Sequence, residues 1–210
     1  MASLLRGRLV AIIRGPDGAA ALAAGRALFE EGIGCVEVTL TTPGALQAIE
    51  TLRTETGDGQ FIGAGSVITR AQARDAAAAG AQFTVTPGVV DSIEEAHGAG
   101  MPVLAGAYTA TEALDAMARG ASAVKLFPAS SGGPAYLKAL RDPLPHIPFL
   151  AVGGVGLADA PGYFDAGAVA LGLGSPLVGD AATPGGDLGA MRERARQFLQ
   201  LARQTESTPS

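Results

Sequence analysis

The sequence predicts an α/β protein of one domain in which eight βα units close into a (β/α)8 barrel. Three observations carry that expectation. Short β-rich runs alternate with Ala-rich amphipathic stretches eight times along the 210 residues. The connections are short, which favours a parallel sheet with right-handed crossovers. Several helical stretches end on glycine, at Gly32, Gly80, Gly100, Gly120 and Gly167, where a left-handed cap carries no Cβ penalty, and the next strand soon follows. Eight units favour a closed barrel over an open doubly wound sheet.

Taken in order, the first strand spans 9–13 (LVAII) and leads into AAALAAGRALFEEG, whose apolar residues recur at three and four positions as one buried helix face requires. The second strand, 35–40 (CVEVTL), precedes PGALQAIETLR, and the third, 60–64, precedes RAQARDAAAAG. Strands at 82–86 and 102–105 precede helices over 90–99 and 109–119. Strands at 122–127 and 148–152 precede helices over 134–141 and 157–166. The eighth strand, 168–172, is followed by a last helix over 188–205. Residues 1–205 thus make the barrel domain and 206–210 a polar C-terminal tail. A unit period of about 25 residues reads as the βα repeat of one barrel rather than a solenoid.

The formal charge is −5 and the basic residues are scattered, so a nucleic-acid face is not expected and a small-molecule partner is. The one cysteine, Cys35, offers neither a disulfide framework nor a zinc site. The run LVAII is too brief for a signal-peptide core or a membrane span, so a cytoplasmic protein with no membrane partner is expected. His97 and His146 read as solvated. No His and carboxylate cluster has ligand spacing, so neither a metal nor another cofactor is expected. No GxGxxG opens a first βαβ unit, which disfavours dinucleotide binding.

In barrels of this kind reactive groups project from the C-terminal strand ends and the loops beyond them. Lys125 stands out there, one of only two lysines against thirteen arginines, inside the apolar run ASAVKLFPA. Period-two alternation puts Ala123, Lys125 and Phe127 on one strand face and Val124 and Leu126 on the other. If Val124 and Leu126 pack on the helices, Lys125 points into the barrel. A buried ammonium must be paired or lose its proton, and only the neutral amine attacks a carbonyl. Position alone leaves two roles open, a nucleophile and a structural ion pair. Glu37 lies in CVEVTL on one face with Cys35 and Thr39, and Lys125 is its obvious partner. The two supply an amine and a proton carrier, or a buried structural pair.

Arg14 closes the first strand, where its planar fork suits a carboxylate or phosphate, or a surface ion pair. Glycine-rich turns follow three strands: GAGS at 63–66, VGGVG at 152–156 and GLGS at 172–175. The last two follow strands seven and eight, where barrels often hold a phosphate, so Gly153, Gly154, Gly174 and Ser175 are candidate phosphate-binding residues. Tight βα turns also need glycine for conformation alone.

From VAIIRG through EVTLTTP, GAGSV, VTPG, VKLFPASSGGPAYLKAL and AVGGV to GLGSPLV, the chain resembles the 2-keto-3-deoxy-6-phosphogluconate aldolase family, including its phosphogalactonate branch. That resemblance implies a metal-free class I aldolase assembled as a homotrimer. It implies that Lys125 forms a Schiff base and Glu37 moves protons, with phosphate contacts at Gly154, Ser175 and their neighbours. Substrate-contacting segments correspond to Arg14, Ser66, Pro87 and Phe127. The chain departs from many phosphogluconate-type members at Thr41, where they carry arginine, and at Val152, where they carry threonine. Both positions are candidate substrate-selecting residues. FPASSGGPAYLKAL, AVGGV and Arg14 resemble the phosphogalactonate branch more closely.

Two other readings compete. One is a phosphate-binding TIM-barrel isomerase or synthase in which Lys125 acts as a cation and no imine forms. The other is a non-catalytic barrel that binds a sugar phosphate.

Overall fold

The computed structural model describes residues 3–206. Eight parallel strands pair in chain order and close, the eighth against the first, into a barrel. They are β1 (Leu9–Ile13), β2 (Cys35–Thr39), β3 (Phe61–Gly65), β4 (Thr84–Val85), β5 (Val103–Ala107), β6 (Ala123–Leu126), β7 (Phe149–Val152) and β8 (Ala170–Leu173). The helices around them are α1 (Gly18–Glu30), α2 (Ala45–Glu55), α3 (Arg70–Ala78), α4 (Ser92–Gly98), α5 (Ala110–Ala118), α6 (Gly133–Arg141), α7 (Ala160–Asp165), α8 (Ser175–Val178) and α9 (Leu188–Glu206). A 3-10 turn, Ala129–Ser131, precedes α6.

Strand alternation sorts the apolar side chains into two layers, as the pleat requires. Val10, Cys35, Phe83, Leu104, Ala123, Leu150 and Ala170 form a cluster inside the barrel. Ala11, Val36, Ile62, Val103, Val124, Leu126 and Leu171 face outward into a second cluster with Leu28, Ile49 and Phe198 of the helices. Each fully buried large side chain of this outer layer contributes about 1.5–3 kcal/mol relative to exposure. Leu4 and Leu5 pack into the inner cluster and close the end of the barrel where the strands begin. The opposite end is the open one.

Local signals set the helix boundaries. Asp17 Oδ1 accepts from the Ala20 N–H at 2.7 Å, and reciprocal capping boxes start α3 (Thr69 with Gln72) and α5 (Thr109 with Glu112). Such caps each contribute about 1 kcal/mol. The five glycines expected to end helices all take positive φ, between 77° and 98°. Helix α2 starts two residues later than its sequence pattern, because Gly44 is left-handed (φ 73°) and serves as its N-cap.

Further differences concern strand and helix limits. Regular β4 is only two residues long, yet its hydrogen bonding extends over the expected 82–86, from Gln82 N–H donating to Ile62 O to Thr86 N–H donating to Leu104 O. Strand β5 continues to Ala107, since Gly106 and Ala107 keep the register opposite Lys125 and Leu126. Between β8 and the long last helix stands α8, a turn the apolar pattern is too short to reveal. Of the expected tail, Glu206 ends α9. Residues 207–210, like residues 1–2, lie outside the described residues.

Candidate active site

Lys125 sits in β6 between Gly106 of β5 and Leu150 of β7, with its side chain inside the barrel. It is 8% exposed, and its Nζ lies 4.9 Å from the centroid of the Phe127 ring. Val124 and Leu126 do pack against the helices, which fixes this orientation. Glu37, in β2 between Ile12 and Gly63, is 1% exposed and shares the interior. Gly65 makes room for it: a Cβ there would lie 2.7 Å from Glu37 Oε1. Glu37 Oε2 is buried without a hydrogen-bond partner, so Lys125 and Glu37 act on each other through their charges and not through a bond at that oxygen.

Burial dominates the electrostatics of both groups. It pushes the Glu37 carboxyl up to about 7, against the opposing pull of Lys125 and Arg14. It also holds the Lys125 ammonium below its ordinary range, an effect that Glu37 opposes and Arg14 reinforces. At neutral pH, then, Glu37 can both give and accept a proton, and the free amine of Lys125 is more accessible than in a solvated lysine. The same shift bears on stability. A carboxyl that titrates higher in the folded chain binds protons more tightly there than in the unfolded chain. Its destabilising contribution therefore grows as pH rises from about 4.5 towards 7 and is fully present above that. Glu37→Gln is expected to raise the thermal midpoint at pH 8, with the gain shrinking towards pH 5. Melting curves at the two pH values check this, and an equal or larger gain at pH 5 would reverse the assignment.

The site opens upward into a pocket of about 320 Å3 at the C-terminal strand ends. Arg14 enters it from the end of β1, Ser66 from β3, Pro87 from β4, Lys125 and Phe127 from β6. Val152, Gly153 and Gly154 line it at β7, and Gly174 and Ser175 at β8. Arg14 Nη2 donates to Ser66 Oγ at 3.3 Å, joining the first and third strand ends. Ser66 holds φ 57°, a left-handed backbone that a non-glycine residue adopts at a cost and that clusters at functional sites. Gly154 (φ 73°) is confined as well, since a Cβ there would lie 2.4 Å from Ser130 Oγ. The Ser130 N–H donates to Gly153 O at 3.1 Å, tying the 3-10 turn to the turn after β7. The Phe127–Pro128 peptide is cis.

Two residues expected at the site do not line this pocket. Glu37 lies one layer lower, beside a small apolar void that it shares with Lys125, Ile12 and Val152. Thr41 is exposed beyond β2, its Oγ1 3.0 Å from Thr39 Oγ1. Conversely, Ile12, Pro176, Val178 and Gly179 line the pocket without having been singled out from sequence. Ile12 was legible, since it shares strand parity with Arg14. The other three depend on α8, for which Pro176 at the first turn was the one local signal.

Among the described residues no group of three or more His, Cys, Asp or Glu is placed to hold a metal ion, and no helix is long and apolar enough to cross a membrane. His97 and His146 are exposed.

Comparison with known proteins bears on the family and the fold. The model of the family described as KDPG and KHG aldolase matches residues 1–193. The 2-dehydro-3-deoxy-6-phosphogalactonate aldolase of Escherichia coli (strain K12) is 42% identical over 171 residues, 80% of this chain and 83% of that protein. The 2-dehydro-3-deoxy-phosphogluconate aldolase of Treponema pallidum (strain Nichols) is 39% identical over 179 residues, 84% of each. A solved structure described as native KDPGal superposes with a TM-score of 0.89 at 38% identity, covering 95% of this chain and 96% of the other.

Proposed function

Since the chain belongs to the KDPG and KHG aldolase family, and is therefore a carbon–carbon lyase, we propose that it cleaves a 2-keto-3-deoxy-6-phospho sugar acid to pyruvate and glyceraldehyde 3-phosphate through an imine on Lys125. The observation that carries the imine is the burial of Lys125 at the floor of the pocket, with Glu37 raised to about 7 in the layer beneath.

The neutral Lys125 amine adds to the C2 ketone. Protonated Glu37, directly or through a water, gives its proton to the carbinolamine oxygen, which leaves as water from a protonated imine. The resulting Glu37 carboxylate takes the proton of the C4 hydroxyl as the C3–C4 bond breaks. The electron pair of that bond flows into the imine to give an enamine, and glyceraldehyde 3-phosphate departs. Glu37 returns its proton to C3, and addition of water frees pyruvate and the amine.

Gly153, Gly154, Gly174 and Ser175, which line the pocket at the ends of β7 and β8, are assigned the phosphate. Binding there orients the reacting carbon at a distance from the chemistry. Arg14, held by Ser66, is assigned the substrate carboxylate or a neighbouring hydroxyl, and Pro87 and Phe127 the walls around pyruvate. The test is reductive trapping. Incubation with pyruvate and borohydride is expected to fix a three-carbon adduct on Lys125, seen by peptide mass, and an active protein that yields no adduct would overturn the imine.

For the C4 epimer we assign the phosphogalactonate acid. Val152 presents methyl groups rather than a hydroxyl to the pocket, and Thr41 stands outside it. The kcat/KM for that epimer is expected to exceed the value for phosphogluconate by about tenfold, the scale of one polar contact. Equal values for the two acids would show that neither residue selects. A cytoplasmic homotrimer is the expected setting, with the exposed Ile68 and Leu114 as apolar side chains available for burial between subunits. Light scattering at three times the chain mass tests the assembly.

A further inference from the structure

The last helix bears three arginines at alternate positions, and they point their charge to different places. Arg192 and Arg196 pair with carboxylates at the C-terminal end of α1, Arg192 with Glu30 and with Glu31, the residue that caps the helix, and Arg196 with Glu31 at 2.7 Å. Arg194 instead donates from Nε to Leu177 O at 2.7 Å and from Nη2 to Val178 O at 3.1 Å. These carbonyls end α8, the four-residue turn whose residues Ser175, Pro176 and Val178 line the pocket together with Gly174 and Gly179.

Such a turn is poorly able to hold itself. Its own backbone bonds run from Leu177 and Val178 N–H to Gly174 O and from Gly179 N–H to Ser175 O. A single turn is below the length at which a helix is self-sustaining, and of the two carbonyls that Arg194 binds only Val178 O has a backbone donor besides, the Ala181 N–H at 3.2 Å. A guanidinium across two of them supplies charge-assisted hydrogen bonds, stronger than neutral ones, and a rigid planar fork that fixes both at once. Gly179 fits the same design. It is left-handed (φ 60°), and a Cβ there would lie 2.5 Å from Arg194 Nη2, so the chain leaves the turn along the face of the guanidinium.

We propose that Arg194, although outside the pocket, is a positioning residue that holds the 174–179 segment in the geometry that receives the substrate's distal phosphate. This rests on the reading of that end of the pocket as the phosphate site. Loss of Arg194 loosens the distal end and leaves the Lys125 end intact.

The test compares steady-state kinetics of the parent, Arg194→Ala, Arg194→Lys and Arg196→Ala on the phosphorylated acid and on the same acid without phosphate. Arg194→Ala is expected to raise KM for the phosphorylated acid about tenfold, with kcat changed less than about threefold and the unphosphorylated acid unaffected. Arg194→Lys keeps one charged donor and falls between parent and alanine variant, and it carries the test if the alanine variant does not fold. Arg196→Ala, which removes ion pairs to Glu31 and Glu193 but no contact with the 174–179 segment, is expected to match the parent. The pyruvate adduct on Lys125 is expected to form in every variant. An unchanged KM for the phosphorylated acid, an equal rise for both acids, or loss of the adduct would each overturn the role of Arg194. A parent enzyme that does not prefer the phosphorylated acid would instead overturn the phosphate site on which it rests.

Discussion

Lys125→Ala is expected to lower kcat/KM for cleavage by at least about 10^4-fold, because no other group in the pocket can form the covalent intermediate. The informative companion is Lys125→Arg. An arginine keeps the positive charge in the same interior position but has no neutral amine at any accessible pH. If Lys125 served as a fixed cation for a phosphate or an enolate, as in a barrel isomerase or synthase, the arginine variant would keep a substantial part of the activity. The imine requires that it be as inactive as alanine and that neither variant trap pyruvate. Pyruvate release coupled to lactate dehydrogenase reads the first quantity and peptide mass the second. A retained affinity of Lys125→Ala for a substrate that the parent does not cleave would mark a binding protein. The burial of Lys125 at the floor of the pocket, where its ammonium is disfavoured, argues for the nucleophile.

Glu37→Gln is expected to lower kcat by about 10^2 to 10^4-fold, the range for removing a general acid–base group, while the adduct with pyruvate still forms, though slowly. The pH dependence identifies the group. With Glu37 at about 7, its carboxylate fraction grows as pH rises through neutrality and its acid fraction falls. Removal of the C4 proton gains from the first and protonation of the enamine from the second. The parent kcat is therefore expected to peak within about one unit of pH 7, and the glutamine variant to lose that curvature between pH 6 and 8. Curvature that survives in Glu37→Gln would assign the titration to another residue. The amide occupies nearly the same volume beside Gly65, so packing loss does not account for such a result.

How much of this was visible in the chain itself depends on the range of the interaction involved. Strand parity is local, and it placed Lys125 and Glu37 inside the barrel while sending Val124 and Leu126 outward. Helix endings at Gly32, Gly80, Gly100, Gly120 and Gly167 are local too, because a positive φ is a property of one residue. The strand ends bring Arg14 and the glycine turns after β7 and β8 to one mouth, as their positions along the chain implied, together with Ser66, Pro87 and Phe127, which only the family resemblance had pointed to. Depth was not legible. That Glu37 lies below the pocket floor and Thr41 outside its wall follows from how eight strands stagger on closure, which no single strand encodes. Nor was the hold of Arg194 on the turn after β8, since it joins residues in two different elements.

Four glycines of the barrel strands each leave room for a group on an adjacent strand or at its end. Phe83 fills the space at Gly63, the Glu37 carboxylate that at Gly65, the Pro87 backbone that at Gly106, and Val152 with Ile12 that at Gly172. Volume is thus allocated in interlocked pairs, and a larger residue at one member requires a smaller one at the other. Val152 is bound to its size by Gly172, and threonine matches that shape, but a hydroxyl there must find a partner on the pocket side because Val152 otherwise packs in the apolar inner cluster. If Val152 selects the epimer as proposed, a change of selectivity at that wall is open to a single replacement of conserved size, while a change of bulk there requires a compensating replacement at Gly172.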